Sequence, residues 1–401
     1  MNGKRVVITG LGMFCGVGKS VAEFSDALCS GRSGIQPLDL FDVSPFPSRI
    51  GSQIKGYDPL DYFDTRSARK LSRTDQFGVI AAGQALRDSG AADSYSPYEM
   101  GVSMGGGAAG MFQGESWLKA HLEGKTGPPS LLRGLLPDQT STDIARTYNL
   151  GGYQGTVTTA CSSSASAIGW AADLVACGRQ KLMLAGGADT LSMLTFAGFN
   201  SLRVVDPQPC APFSLGRQGI SLGEGAAFLV LEREADALAR GARIYGAVLG
   251  YALAGEAYHM TAPEPGGTVA ARVMREALQR ADVDVSQVGW VNAHGTGTSL
   301  NDVVESNAMK LVFGERAPLV PLISTKGLTG HCLGAAGAIE AVSTVIALNR
   351  KIIPQTLNYR GRDPECDLEY CHAGSRPSDC AVAMSNSFAF GGNITALVLS
   401  L

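Results

Sequence analysis

No stretch of this 401-residue chain reaches the ~18 uninterrupted apolar residues that a membrane-crossing helix needs. It has no Lys/Arg-rich run, and 33 basic against 36 acidic residues leave a net charge of −3. That balance argues against a nucleic-acid partner, which usually faces a basic patch. Charged residues are scarce at 17% and aromatics at 7%. No Cys-x-x-Cys pair exists among nine cysteines, so the nearby Cys366, Cys371, His372 and Cys380 do not form a zinc motif. An odd cysteine count in a long chain fits a reducing, cytoplasmic protein better than a disulfide framework. The apolar start after Lys4 and Arg5 is broken by Gly10, Gly12, Gly16 and Gly18 and shows no small-residue cleavage site, so a first strand is expected there rather than a signal peptide.

Glycine is what the chain has in excess, 51 of 401 residues. Without a Gly-X-Y period, and beside many Val, Ile and Leu, this is neither collagen nor disorder. It points to tight turns and close backbone packing around a site.

Hydrophobic patterning predicts an α/β protein with mostly parallel strands. Strands are expected at 4–9, 101–104, 155–160, 181–186 and 225–232, with helices at 20–30, 75–90 and 162–177. Residues 121–140, with three prolines, read as an excursion. A charged helical connector at 233–242 leads to a second set: strands at 243–253, 288–293, 320–324, 380–386 and 394–400, helices at 268–281, 302–313 and 334–349. The repeated order suggests a duplicated unit, residues 1–240 and 241–401.

Cys161 is the first candidate for chemistry. It follows a strand and opens a helix through Ser162-Ser-Ser-Ala-Ser166. Orphan N–H groups and the dipole at such a terminus favour thiolate and can hold an oxyanion. An isolated cysteine is more often a small buried core residue; for the other eight that reading stands. Of five histidines, His294 ends a strand and begins His294-Gly-Thr-Gly-Thr298, and His331 closes Lys326-Gly-Leu-Thr-Gly-His331. Both are expected at carboxyl ends of strands, where open α/β sheets place their sites. Lys326 and Glu305 are their charged companions, either a solvated pair or a buried one that orients the imidazoles. Phe388-Ala-Phe390-Gly391-Gly392 joins the last two strands, as a plain hairpin or as a backbone donor beside Cys161. Gly10-Leu-Gly12 lacks the third glycine in register and the distal acidic residue of a dinucleotide site. Gly105 to Gly110 lacks the Gly-Lys-Ser/Thr of a P-loop.

Taken together, Thr159-Ala-Cys161-Ser-Ser, the His294 and His331 motifs and the Phe-Gly-Gly turn resemble the β-ketoacyl-[acyl-carrier-protein] synthases of the elongating Cys-His-His type. The likeness runs over essentially the whole chain. It includes His259-Met-Thr-Ala-Pro-Glu-Pro265, Pro212-Phe213 and Gly223-Glu-Gly225. It implies a thiolase-like fold, two similar halves in five α-β-α-β-α layers, usually dimeric. It implies that Cys161 carries the acyl group, with an oxyanion hole from the N–H groups of Cys161 and Phe390. His294 and His331 would promote malonyl decarboxylation, supported by Lys326 paired with Glu305. Thr296 and Thr298 would hydrogen-bond the phosphopantetheine arm, Phe390 would gate the second half-reaction, and Gly106 would shape the acyl pocket, beside Phe388, Gly391 and Gly392. No metal or redox cofactor is implied; the partners are an acyl carrier protein and a second copy or a chain-length-factor-like subunit. Ala389 stands where Gly is frequent and Gly297 where Ser is. The loop wording is closer to the aryl polyene and type II polyketide subgroup. The rival readings are a non-catalytic chain-length-factor-like subunit, which would lack Cys161, and a coenzyme-A thiolase, which would want a cysteine near Phe388. An initiating Cys-His-Asn synthase is disfavoured by His331.

Overall fold

A computed structural model describes residues 5–401; Lys4 of the expected first strand lies outside them. The core elements of the first half are β1 (Val6–Cys15), α1 (Arg73–Ser89), β2 (Met100–Gly105), α2 (Gln139–Thr147), β3 (Gln154–Val157), α3 (Ser163–Ala176), β4 (Leu182–Asp189) and β5 (Gly225–Arg233). The second half repeats the series: β6 (Gly246–Gly255), α4 (Thr268–Ala281), β7 (Trp290–Asn292), α5 (Asn301–Phe313), β8 (Leu322–Ile323), α6 (Ala336–Arg350), β9 (Val382–Phe388) and β10 (Asn393–Ser400).

The ten strands hydrogen-bond in the order β8-β7-β9-β10-β6-β1-β5-β4-β2-β3. Read outward from the centre, each half has the same strand order and the same pairing directions. The first strand of each half meets the other at the centre, where Val6 pairs with Val248 and Ile8 with Gly246. The expectation of mostly parallel strands is corrected. Strands β2–β3, β2–β4, β7–β8 and β7–β9 are parallel. Strands β1–β5, β1–β6, β4–β5, β6–β10 and β9–β10 are antiparallel. The closing strand of each half slots between its neighbours without a crossover helix, which is what parallel pairing would require.

Helices α3 and α6 pack on each other, and each also touches strands of both halves. The sheet therefore wraps around them, with α1 covering the outer face of one half and α4 that of the other. Three apolar clusters fill the spaces between these layers. This is the five-layer α-β-α-β-α arrangement, a thiolase-like fold.

Glycine explains why β1 runs on to Cys15 through a stretch that reads as broken. A Cβ on Gly12 would fall 1.9 Å from the Ala81 carbonyl oxygen, and one on Gly10 2.2 Å from that of Ala85. The glycines let α1 lie directly on the strand. The small-residue sequence of α3 does the same for the central layer, where Ser163, Ser164 and Ser166 are all buried. Helices at Met111–Leu122 and Met193–Ser201 were not expected from the patterning; the first follows the glycine run Gly105–Gly110. No helix among the described residues is long and apolar enough to cross a membrane.

Candidate active site

Cys161 sits where β3 gives way to α3. The strand ends at Val157, Ala160 takes a left-handed φ of +48°, and one 3-10 turn over Ala160–Ser162 opens the helix. A left-handed alanine costs on the order of 1–3 kcal/mol, so the surroundings must hold it. The Ser163 hydroxyl does so, accepting from the Thr159 N–H at 2.9 Å and donating to the Ala160 carbonyl at 2.6 Å. The bend aims the Cys161 sulfur at the β9–β10 turn, where the Phe390 N–H favours its thiolate form. The expected lowering of this thiol is corrected. Burial pushes it up to about 12, outweighing the lowering by Lys326 and the Phe390 N–H, and the Asp189 and Glu340 carboxylates add to the rise. The resting group is the protonated thiol.

His294 directly follows β7. Glu305, facing it from α5, accepts the N–H of His294 on one oxygen and that of Gly295 on the other, both at 2.8 Å. The Asn386 amide reaches the same carboxylate at 3.4 Å. Burial pushes the Glu305 carboxyl up to about 7 against these donors. Glu305 therefore fixes the backbone under His294 and is not the partner of Lys326, which corrects the expected pairing. That partner is Glu340 of α6: its carboxylate forms a salt bridge with the Lys326 ammonium, and both side chains are buried. Burial raises the Glu340 carboxyl and Lys326 opposes the rise. Glu340 was missed, although it is the one charged residue between Leu333 and Leu348.

Lys326 also lies 3.3 Å from His294 Nδ1. An ammonium can only donate, so Nδ1 accepts and the His294 proton is assigned to Nε2. His331 is not at a strand end as expected; a helical turn, Lys326–Thr329, and Gly330 separate it from β8. Its backbone instead pairs beside Leu222, donating to the Ser221 carbonyl at 2.7 Å and accepting from the Gly223 N–H at 3.0 Å. Its Nδ1 accepts the Leu333 N–H at 3.1 Å, which again assigns the proton to Nε2. The two rings stand 5.3 Å apart at 84°. Burial first, then the Lys326 charge, holds both imidazoles well below their usual range; His331 adds to the effect on His294. Near neutral pH the site offers two uncharged Nε2–H donors.

Cys161 and both histidines open into one cavity of about 820 Å³, mouth included, whose lining also contains Thr296, Thr298, Phe388, Phe390 and Gly392. The Thr296 and Thr298 hydroxyls are 2.9 Å apart. Arg217 holds their loop, donating to the carbonyls of Thr298 at 3.0 Å and Ser299 at 3.1 Å. Phe388 stacks on His294. Phe390 stacks on Phe199 from the Met193–Ser201 helix, with centroids 5.9 Å apart. The turn beyond it is tied to the opposite wall: the Gly391 N–H donates to the Met260 carbonyl at 2.7 Å, and the Gly392 carbonyl accepts the Glu256 N–H at 2.8 Å. Gly106 and Gly391 are not among the residues lining this cavity. Gly106 is turned against Met104 and Ala188, while Gly391 is spent on the turn. Lys326 and Glu305 lie behind the histidines. Among the described residues no group of three or more His, Cys, Asp or Glu could hold a metal ion.

Comparison with known proteins finds one family over most of the chain. The family models "Beta-ketoacyl synthase, N-terminal domain" and "Beta-ketoacyl synthase, C-terminal domain" match residues 3–237 and 245–360. The 3-oxoacyl-[acyl-carrier-protein] synthase 2 of Synechocystis sp. is 38% identical, covering 98% of this chain and 97% of its own. The structure of the ishigamide ketosynthase/chain length factor superposes with a TM-score of 0.92 at 33% identity, over 99% of each chain. That of a type II polyketide ketosynthase bound to the hexaketide, in complex with its acyl-carrier protein, gives 0.91 at 31%, over 100% of each.

Proposed function

This chain belongs to the β-ketoacyl synthase family, and we propose that Cys161 is the residue on which its acyl group is carried. The enzyme is an acyltransferase that joins an acyl group to malonyl-carrier protein by decarboxylative Claisen condensation. The observation that supports the residue roles best is the pairing of two donor sets around one sulfur. The Phe390 N–H is directed at Cys161, and two uncharged imidazole N–H groups face the same cavity.

In the first half-reaction the Cys161 sulfur attacks the thioester carbonyl of an acyl chain delivered on phosphopantetheine. The S–C bond to the carrier breaks, and the thiol proton ends on the departing phosphopantetheine sulfur. In the second, malonyl thioester loses CO₂, and the electron pair of the broken C–C bond becomes an enolate. His294 and His331 donate through Nε2–H to its oxygen. The enolate carbon attacks the acyl carbonyl on Cys161, whose oxyanion is met by the N–H groups of Cys161 and Phe390. Collapse expels the Cys161 thiolate, which takes a proton from solvent to restore the thiol that burial favours, one proton being consumed per condensation. The product is the 3-oxoacyl thioester. Lys326, held by Glu340, keeps His294 in the donor tautomer. Thr296 and Thr298 face the cavity where the amides of the pantetheine arm would pass, and Phe390 gates entry of malonyl.

The substrates arrive on an acyl carrier protein, and the working unit is a dimer with a second copy or with a chain-length-factor-like subunit. Residues 1–240 supply the nucleophile and 241–401 the histidines and the Phe-Gly-Gly turn. All nine cysteines are unpaired, which supports a cytoplasmic setting. Intact-mass measurement after mixing the protein with acyl-carrier-protein thioesters, followed by peptide mapping, tests the assignment. An acyl adduct on Cys161 is expected; an adduct elsewhere would overturn it.

A further inference from the structure

Asp189, the last residue of β4, has no accessible surface and forms no salt bridge among the described residues. Three backbone N–H groups satisfy it. Oδ2 accepts from Gly107 at 2.8 Å and from Gly334 at 2.7 Å, and Oδ1 accepts from Ala108 at 2.8 Å. A buried carboxylate compensated only by backbone amides is costly unless its donors are fixed in place. Here they come from opposite halves of the molecule. Gly107 and Ala108 belong to the glycine run after β2, and Gly334 belongs to the turn that opens α6.

The contact with Gly334 leads straight to a histidine. Gly334 follows Leu333, which is held at a left-handed φ of +51° and whose N–H donates to His331 Nδ1. A Cβ at position 334 would push the turn away from Asp189 and the glycine run. A Cβ there would lie 2.6 Å from the Gly107 nitrogen and 2.7 Å from Asp189 Oδ2. The turn is thus anchored at Gly334 by Asp189, and one residue earlier it sets which nitrogen of His331 carries the proton.

We propose that Asp189 is a positioning residue for decarboxylation: by anchoring the Leu333–Gly334 turn to the glycine run of the other half, it holds His331 in the tautomer that donates through Nε2. This rests on the condensing reading above. Asp189 does not line the cavity; its effect on His331 is transmitted through two peptide units, and its charge separately raises the Cys161 thiol.

The test separates the half-reactions. Wild-type protein is first shown to acylate Cys161 and to decarboxylate malonyl-carrier protein; failure there would overturn the condensing reading itself. Asp189→Asn then turns one acceptor into a donor facing N–H groups. Gly334→Ala breaks the same contact from the other side. Both variants are expected to lose at least about tenfold in decarboxylation, as a misplaced catalytic group does. Neither should lose more than about threefold in Cys161 acylation; removing the Asp189 charge, which raises the Cys161 thiol, acts in favour of that step rather than against it. A merely structural aspartate would lower the two steps together. A parallel loss, or unchanged decarboxylation in either folded variant, would overturn the proposal while leaving the condensing reading intact.

Discussion

The Lys326 ammonium lies 3.3 Å from Nδ1 of His294. That contact makes His294 an uncharged donor through Nε2, and it places the ammonium behind the ring rather than in the cavity. The carboxylate that keeps Lys326 there is Glu340, 14 residues on and a full helix entry away.

Removing that carboxylate strands a buried ammonium. Glu340→Leu is expected to destabilise the protein by about 3–5 kcal/mol, the usual result of breaking a buried pair from one side. Glu305→Gln keeps one acceptor for the two N–H groups it serves and is expected to cost about 1–3 kcal/mol. Urea denaturation of the two variants compares them; a larger loss for Glu305→Gln would restore the Lys326–Glu305 pairing.

His331→Ala removes one of two donors to the enolate. Decarboxylation is expected to fall by about 10²–10³-fold, while acylation of Cys161 continues. Because both imidazoles titrate well below 6.5, the decarboxylation rate of the wild type is expected to stay flat from pH 8 down to 6.5. The same lowered values mean that stability is fully present above 6.5 and is lost as pH falls through the folded-state values. A rate that halves near pH 6.5 would show that these rings are ordinary exposed histidines.

The Cys161 thiol, raised to about 12 by burial, should alkylate slowly. Its reaction with iodoacetamide in the free enzyme is expected to rise about tenfold per pH unit from 7 to 10 with no plateau. Levelling off near pH 7 would reveal a stabilised thiolate. Cys161→Ala should abolish both alkylation of this site and condensation.

Phe390→Ala removes the ring stacked on Phe199 but keeps the backbone N–H. The expected outcome is retained acylation with more malonyl decarboxylated without condensation, read as the ratio of CO₂ released to 3-oxoacyl product. An unchanged ratio would remove Phe390 from the gate.

Much of this was legible in the chain. Cys161 and His294 stand out because each comes after a strand and heads a serine- or glycine-rich turn, and His331 because it closes the Lys326-Gly-Leu-Thr-Gly-His331 motif. The helix expected at 268–281 is where the structure has it, because its charged and apolar positions alternate at helical spacing. What stayed hidden depends on contacts distant in sequence. Glu340 and Asp189 each lie in buried elements, and neither has a neighbour in sequence that marks its partner. The Cys161 thiol was expected to fall because the helix terminus is visible in the sequence, whereas the burial that overrides it is visible only in three dimensions.

The central claim is that one sulfur and two histidines carry a condensation. It is tested most directly by loading Cys161 with an acyl group, removing the excess donor, adding malonyl-carrier protein and weighing both proteins. The account predicts that the adduct leaves Cys161 as the carrier gains a 3-oxoacyl group two carbons longer than the acyl group loaded. An adduct that stays on Cys161 while malonyl-carrier protein is consumed, or a lengthened carrier formed equally well by Cys161→Ala, would contradict it.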